Sequence, residues 1–498
     1  MSRNPVFDPT LQDILQAIKP TGADWDARMT VIDQLRSALQ SVESLRGATV
    51  QPFGSFVSNL FTRWGDLDIS VDLFSGSSIL FTGKKQKQTF LGQLLRALRA
   101  SGAWYRLQFV AHARVPILKV VSGHQRISCD ISIDNLEGLL KSRFLFWISE
   151  IDWRFRDLVL LVKEWAKAHD INNPKNGTFN SYSLSLLVIF HLQTCVPAIL
   201  PPLGDIYPRS AVDDLKGVRK TAEDSIAQLS AANIARFRSG TSRAVNRSSL
   251  SELLVSFFAK FSDINVKAKE LGVCPFTGRW ENISSNTRWL PKTYSLFVED
   301  PFEQPENAAR SVSRKSLDRI AQVFEMTSRR LATDCNRNSI VGVLTSPHIS
   351  QPLCSRTSLH NHHHANGVNN GHNLHGQSRP WNHQMQQHWS QSNYVQNPPY
   401  WPASARSRAQ QNWSQNNPRN MQGQTPVQGQ TRPVITQTQT QQKSQYKNGK
   451  QPMRNTHAGS SQNQGHIGRP PGQSNGVNFA RPAQISQSQR GQMWRPRS

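Results

Sequence analysis

Three aspartates fall within a short alternating run, Asp66-Leu67-Asp68-Ile69-Ser70-Val71-Asp72-Leu73. In an extended chain, Leu67, Ile69, Val71 and Leu73 take one side and Asp66, Asp68, Ser70 and Asp72 the other. A half-buried strand accounts for the apolar side alone. Like charges at i and i+2 repel, so the acids need another reason. Two carboxylates held side by side on a rigid strand suit a pair of divalent cations, and hard cations such as Mg²⁺ take oxygen ligands. Upstream, Gly54-Ser55 ends a strand expected over residues 48–53 and opens a helix. There a missing Cβ and free backbone N–H groups allow a phosphate to come close.

Gly-Ser, ten residues, then Asp-Leu-Asp resembles the signature of DNA-polymerase-β-type nucleotidyltransferases. The bland alternative is an acidic surface strand after a turn. The resemblance implies a third carboxylate on a neighbouring strand. Residues 127–133 offer Asp130 on a polar face, opposite Ile127, Cys129, Ile131 and Ile133. Asp66, Asp68 and Asp130 would then be the catalytic, metal-binding acids for two Mg²⁺ or Mn²⁺ ions, and Gly54 and Ser55 would meet the nucleotide.

The elements that must position these residues follow from periodicity. Asp8-Pro9 opens a helix with Leu11, Ile14, Leu15 and Ile18 on one face, and a second helix spans about residues 24–45. In the family both pack on a later helical domain. Strands at 48–53, 66–73, 116–121 and 127–133, with a helix near 89–101, predict a small mixed-sheet α/β (α+β) catalytic domain. From Leu139 the pattern turns helical. Lys163 and Lys167 share a helix face; by themselves they are a solvated pair, and the family's Lys-x-x-x-Lys helix makes them triphosphate contacts. Ser181-Tyr182 reads as a helix cap and core aromatic, and in relatives it lies at the nucleotide pocket. Ser249-x-x-Glu252 is a capping box before an aromatic stripe. Residues 295–310 resemble the nucleotide-recognition motif of noncanonical poly(A) and poly(U) polymerases, which implies nucleotide contacts at Asp300, Glu303 and Asn307.

Over residues 1–335 the chain is similar to plant terminal uridylyltransferases of the HEN1-suppressor type. The resemblance implies UTP as donor, the single-stranded 3′ end of an unmethylated small RNA as acceptor, and a mark for degradation. Two positions depart from the family. Glu306 stands where strict UTP users commonly carry a His, and Lys141-Ser142-Arg143 replaces Asn-Thr-Arg, whose Asn contacts the ribose. A poly(A) polymerase is the near alternative, and a catalytically dead RNA-binding scaffold is the alternative from another class.

All 33 Asp and Glu precede residue 335, whereas residues 336–498 hold 16 Lys and Arg. The net charge of +25 divides accordingly, with +16 beyond residue 335. That Gln/Asn-rich segment buries too little apolar surface to fold, so it is read as a disordered tail that binds RNA or, through Trp381, Trp389, Trp401, Trp413 and Trp494, an Argonaute-type partner. The expected domains are N-terminal helices (1–47), the catalytic domain (48–138), a helical nucleotide-recognition domain (139–335) and the tail (336–498). The histidines His360, His362, His363 and His364 form a low-complexity tract rather than a fixed metal site. Five scattered cysteines match neither a disulfide framework nor a zinc site. With no apolar run of membrane length, these features predict a soluble intracellular protein of cytoplasm and nucleus.

Overall fold

The computed structural model describes residues 5–73, 79, 82–240, 244–290, 293–333 and 336–363, with side chains to residue 355. Helix α1 (Phe7–Ile18) leads into α2 (Gly22–Gln40), whose start is fixed by a capping box between Thr21 and Asp24. Strand β1 (Thr49–Phe53), the one-turn helix α3 (Gly54–Val57) and β2 (Leu67–Asp72) follow. Helix α4 (Lys84–Ala100) then precedes β3 (Trp104–Val110), β4 (Ile117–Ser122) and β5 (Ser128–Ile133).

The strands form one mixed sheet in the order β1-β2-β5-β4-β3, with β2 and β5 parallel and the other pairs antiparallel. The expected mixed α/β class holds. Strand β3 escapes the periodicity reading because it is the edge strand, exposed along much of its length. A register shift between Tyr105 and Gln108, with Arg106 at φ +52°, also breaks its alternation.

Helices α5 (Leu136–Ser149), α6 (Trp153–Ala168) and α7 (Ser181–Gln193) build the second half, with Asp152 capping α6 and Asn180 capping α7. Longer helices follow at Arg219–Ser239, Leu250–Phe261 and Arg314–Thr333. The expected capping box at Ser249 and Glu252 is present.

Two cores divide the molecule. The α2 residues Trp25, Met29, Ile32 and Leu35 pack with Leu67, Ile69 and Ile131 of the sheet, and the α1 residues Leu11, Ile14 and Leu15 pack with α6 and the Leu250–Phe261 helix. The two N-terminal helices therefore part company: α1 joins the helical core as expected, and α2 covers the sheet. Amphipathic spacing defines a helix's apolar face without saying which core receives it.

The fold also runs past residue 335. Helices Arg337–Leu344 and Pro347–His363 follow, and Ile340, Val341 and Leu344 are buried in the helical core. Arg337 pairs with Asp13 at 3.0 Å, and Ser346 donates to Glu164 at 2.8 Å. A polar composition hid one short apolar run, Ile340-Val341-Gly342-Val343-Leu344. The tail tryptophans and His364 lie outside the described residues, as do the side chains of His360, His362 and His363. Among the described residues no helix is long and apolar enough to cross a membrane.

Candidate active site

Asp68, Asp130 and Lys119 lie on one rung of the sheet. Strand pairing sets Asp68 beside Asp130 across β2 and β5, and Asp130 beside Lys119 across β5 and β4. In-register neighbours project from the same face of strands about 4.8 Å apart. Asp66, exposed, precedes β2 by one residue and takes the same side as Asp68. The sheet thus gathers the three acids that the sequence picked out. It adds Lys119, whose ammonium pairs with Asp130 Oδ2. Lys119 alternates with the buried Leu118 and Val120, a signal the sequence carried but that acquires meaning only once β4 is placed beside β5.

The electrostatics are those of crowded carboxyls. Burial, then the charges of Asp130 and Asp66, push the Asp68 carboxyl up to about 7. Asp66 is raised too, first by partial burial of its carboxyl and then by Asp130, although the residue as a whole is exposed. Asp130 Oδ1 is buried without a hydrogen-bond partner. Among the described residues no three acidic, His or Cys side chains close into a ready-made cage. The aspartates line a rung whose countercharge comes from Lys119. An orphaned carboxylate oxygen beside two acids that resist ionisation fits a hard divalent cation.

Gly54 is where close approach matters. Its φ is +66°, and a Cβ there would collide with the Asp68 carboxylate. Its N–H is not free for a phosphate, however, because it donates to Ser142 Oγ at 2.6 Å. Half-buried Ser55 follows in the first turn of α3. The loop before Asp66 is held by Arg28, a residue that the sequence reading missed. Arg28 is buried on α2, lies over the Phe61 ring and donates to the carbonyls of Arg63 (3.1 Å) and Gly65 (2.6 Å). The remaining strand acid, Asp72, belongs elsewhere: buried, it accepts from Arg219 at 2.7 Å and Ser70 at 2.5 Å.

The two lysines of α6 separate. Lys167 is exposed, whereas Lys163 is buried and donates to the Leu60 carbonyl at 2.7 Å. Burial, then Lys167, brings the Lys163 ammonium down to about 7, against a restoring pull from Asp68. Helical spacing put both lysines on one face; α3 and the loop after it cover the first of them.

A second group gathers around Lys141. Its ammonium bridges Asp300 Oδ2 (2.6 Å) and Glu303 Oε2 (2.7 Å) and lies 5.5 Å from the centre of the Tyr182 ring. Tyr182 donates its hydroxyl to Asp300 Oδ1 at 2.9 Å, and its own ionisation is pushed well up by burial and then by Asp300. Ser181 Oγ receives the Asn172 amide at 3.2 Å. Arg114, from the β3–β4 turn, pairs with Glu303 and reaches Glu306 at 3.7 Å. Adjacent α5 residues tie this group to the sheet, since Ser142 accepts from Gly54 while Lys141 holds Asp300. Asn307 is a correction. It is fully buried, its Oδ1 takes the N–H groups of Val298 (3.0 Å) and Ala309 (2.9 Å), and its amide donates to Leu296 O at 2.8 Å. It clamps the loop and has no open side toward a nucleotide.

Comparison with known proteins adds the lineage. Residues 7–150 match the central palm domain of the mitochondrial-like poly(A) RNA polymerases. The chain is 78% identical to Protein HESO1 of Arabidopsis thaliana over 100% of its own length and 99% of that protein. It is 27% identical to the terminal uridylyltransferase cid1 of Schizosaccharomyces pombe, over 65% of this chain and 78% of that one. A solved Cid1 poly(U) polymerase with MgGTP bound superposes with a TM-score of 0.53 at 25% identity, covering 69% of this chain and 100% of that chain. A point mutant of mtPAP in complex with ATPγS shares the fold at a TM-score of 0.55, with 21% identity over 68% of this chain and 72% of that one. On this similarity the chain belongs to the HESO1 family of noncanonical terminal nucleotidyltransferases.

Proposed function

We propose that the protein is a template-independent uridylyltransferase that adds uridine from UTP to the 3′ end of single-stranded RNA. The observation that carries this is the rung Asp68-Asp130, with Asp66 beside it, in a chain so close to HESO1 over its full length. The cid1 relative, named for terminal uridylyl transfer, supports uracil over adenine.

Asp66, Asp68 and Asp130 would hold divalent cations, Mg²⁺ or Mn²⁺ and two in number. When bound, these supply activation of the RNA 3′-hydroxyl and neutralisation of the triphosphate charge. Asp130, with its orphaned oxygen, stands on the acceptor side. Lys167 meets the triphosphate, and Lys163 sets the field behind Asp68 from its seat on the Leu60 carbonyl. Gly54 lets the Asp68 carboxylate close against the backbone, and Ser55, next to it, meets the phosphates. Tyr182 stacks on the base, and Ser181, Asp300 and Glu303 line its polar edge under the control of Lys141. The acceptor is held by backbone charge and stacking, since edge readout would tie the enzyme to one sequence.

The preferred acceptor is an unmethylated small RNA, because a 2′-O-methyl on the terminal ribose removes a donor and crowds the 3′-oxygen. The acid-free C-terminal segment adds RNA affinity and an Argonaute-type docking site, and the protein works in cytoplasm and nucleus. The test is a tailing reaction with UTP and ATP in direct competition, on matched RNAs with and without a terminal 2′-O-methyl. Uridine on the unmethylated RNA is expected to dominate. Equal incorporation of adenosine would favour the poly(A) reading, and equal tailing of both RNAs would remove the small-RNA end as the determinant.

A further inference from the structure

We propose that Trp64 is a stacking platform for a base near the 3′ end of the acceptor RNA, an inference that rests on the reading of the site as an RNA-tailing centre. Trp64 lies two residues before Asp66, so the two Cα atoms are within about 7 Å of each other. An acceptor whose 3′-oxygen reacts at Asp66, Asp68 and Asp130 must bring its last nucleotides into that neighbourhood. Stacked bases advance by only about 3.4 Å each, so at least one base comes within reach of the indole.

The indole is open and its backbone is fixed. Trp64 is 51% exposed. Among the described residues the other tryptophan so exposed is Trp153, which opens α6. Exposed aromatics are commonly carried by pliable loops. Here both peptide carbonyls that flank the tryptophan, those of Arg63 and Gly65, are gripped by the buried Arg28 at 3.1 and 2.6 Å. The Arg63 N–H donates to Ile18 O at 3.0 Å and the Gly65 N–H to Thr62 O at 2.8 Å, which closes the turn. His348, from the helix that follows residue 346, braces the indole edge-on at 5.0 Å and 86°. The arrangement holds a large apolar surface rigid, two residues from Asp66, with about half of it left to solvent. A single-stranded RNA base is the occupant that this position demands, because every base offers a face to an indole whatever its sequence. The neighbouring Arg63 side chain is turned to Asp24, with which it pairs at 3.4 Å, and so leaves the indole uncovered.

The test measures binding of the full-length protein to a labelled single-stranded RNA without nucleotide triphosphate. Wild type, Trp64→Ala and Trp64→Phe are compared on intact RNA and on RNAs abasic at the last, second or third position from the 3′ end. Trp64→Ala is expected to weaken binding of intact RNA about tenfold and to raise KM for RNA more than it lowers kcat, with KM for UTP held. Trp64→Phe should recover most of the affinity. One abasic position should cost the wild type about tenfold and cost Trp64→Ala nothing further. Equal abasic penalties in wild type and Trp64→Ala would overturn the proposal. So would unchanged RNA affinity in Trp64→Ala alongside loss of a protein partner, which would assign the indole to that partner. Because the cycle reads binding alone, it stands apart from the competition assay: a wild type that failed to transfer uridine would sink the functional reading and leave the abasic comparison interpretable.

Discussion

Replacing Lys163 with methionine should make the protein more stable and less active at once. The ammonium is buried on the Leu60 carbonyl and lowered to about 7, chiefly by burial. In the unfolded chain a lysine titrates near 10.5, so folding expels a proton at any pH between the two values. The sign follows. The stability of the wild type is undiminished by this group above pH 10.5 and is eroded as pH falls from 10.5 to 7. At about 1.4 kcal/mol per pH unit, the cost reaches about 4 kcal/mol at pH 7 and about 2 kcal/mol at pH 9. Methionine fills a similar volume without charge but leaves the Leu60 carbonyl unpaired, which costs about 1–3 kcal/mol. The variant should therefore gain about 1–3 kcal/mol at pH 7 and nearly nothing at pH 9. Urea denaturation of wild type and Lys163→Met at both pH values reads this directly. Tailing should fall at least about tenfold, because the charge behind Asp68 is gone. A variant that is less stable at pH 7, by an amount that pH 9 leaves unchanged, would refute the account of Lys163 as a desolvated cation.

Other outcomes follow from the same structure. A chain ending at residue 335 should unfold at markedly lower temperature than one ending at 363, since it loses the buried Ile340, Val341 and Leu344 and the Ser346–Glu164 contact; equal melting temperatures would place the fold boundary back at 335. His191, buried and lowered to about 3 mainly by burial, should erode stability as pH falls from 6.5 toward 3, by about 2 kcal/mol at pH 5. His191→Gln should flatten that slope in pH-dependent denaturation. Lys141→Met strips buried Asp300 of a 2.6 Å partner and should destabilise by about 3 kcal/mol in urea while raising KM for UTP. An unchanged KM would detach Lys141 from the nucleotide.

Much of the site was legible because its acids sit on strands. Alternation at residues 66–73 and 127–133 gave the faces of Asp66, Asp68 and Asp130, and the sheet then joined those faces through the Asp68–Asp130 register. What stayed hidden depended on what covers a face. Lys163 and Lys167 share helical spacing, yet one is buried under the Leu60 carbonyl and the other is exposed. Asn307 falls within a recognition motif, yet its amide is spent on three main-chain groups. Arg28 reads as one polar residue on an amphipathic helix, and only the tertiary fold brings the carbonyls of residues 63 and 65 to it. Long-range pairing, the basis of Lys119 beside Asp130, has no local sequence period.

Metal-dependent uridylyl transfer by the acids of one sheet rung can be measured directly. The most direct test is single-turnover addition from UTP to a 5′-labelled single-stranded RNA, with Mg²⁺ and with excess chelator, by wild type and Asp130→Asn side by side. Extension is expected from the wild type with Mg²⁺, none with chelator, and a loss of at least about a thousandfold in Asp130→Asn, whose urea midpoint should stay near that of the wild type because relief of the repulsion on Asp66 and Asp68 offsets the lost pairing with Lys119. Extension by Asp130→Asn within about tenfold of the wild type would contradict it.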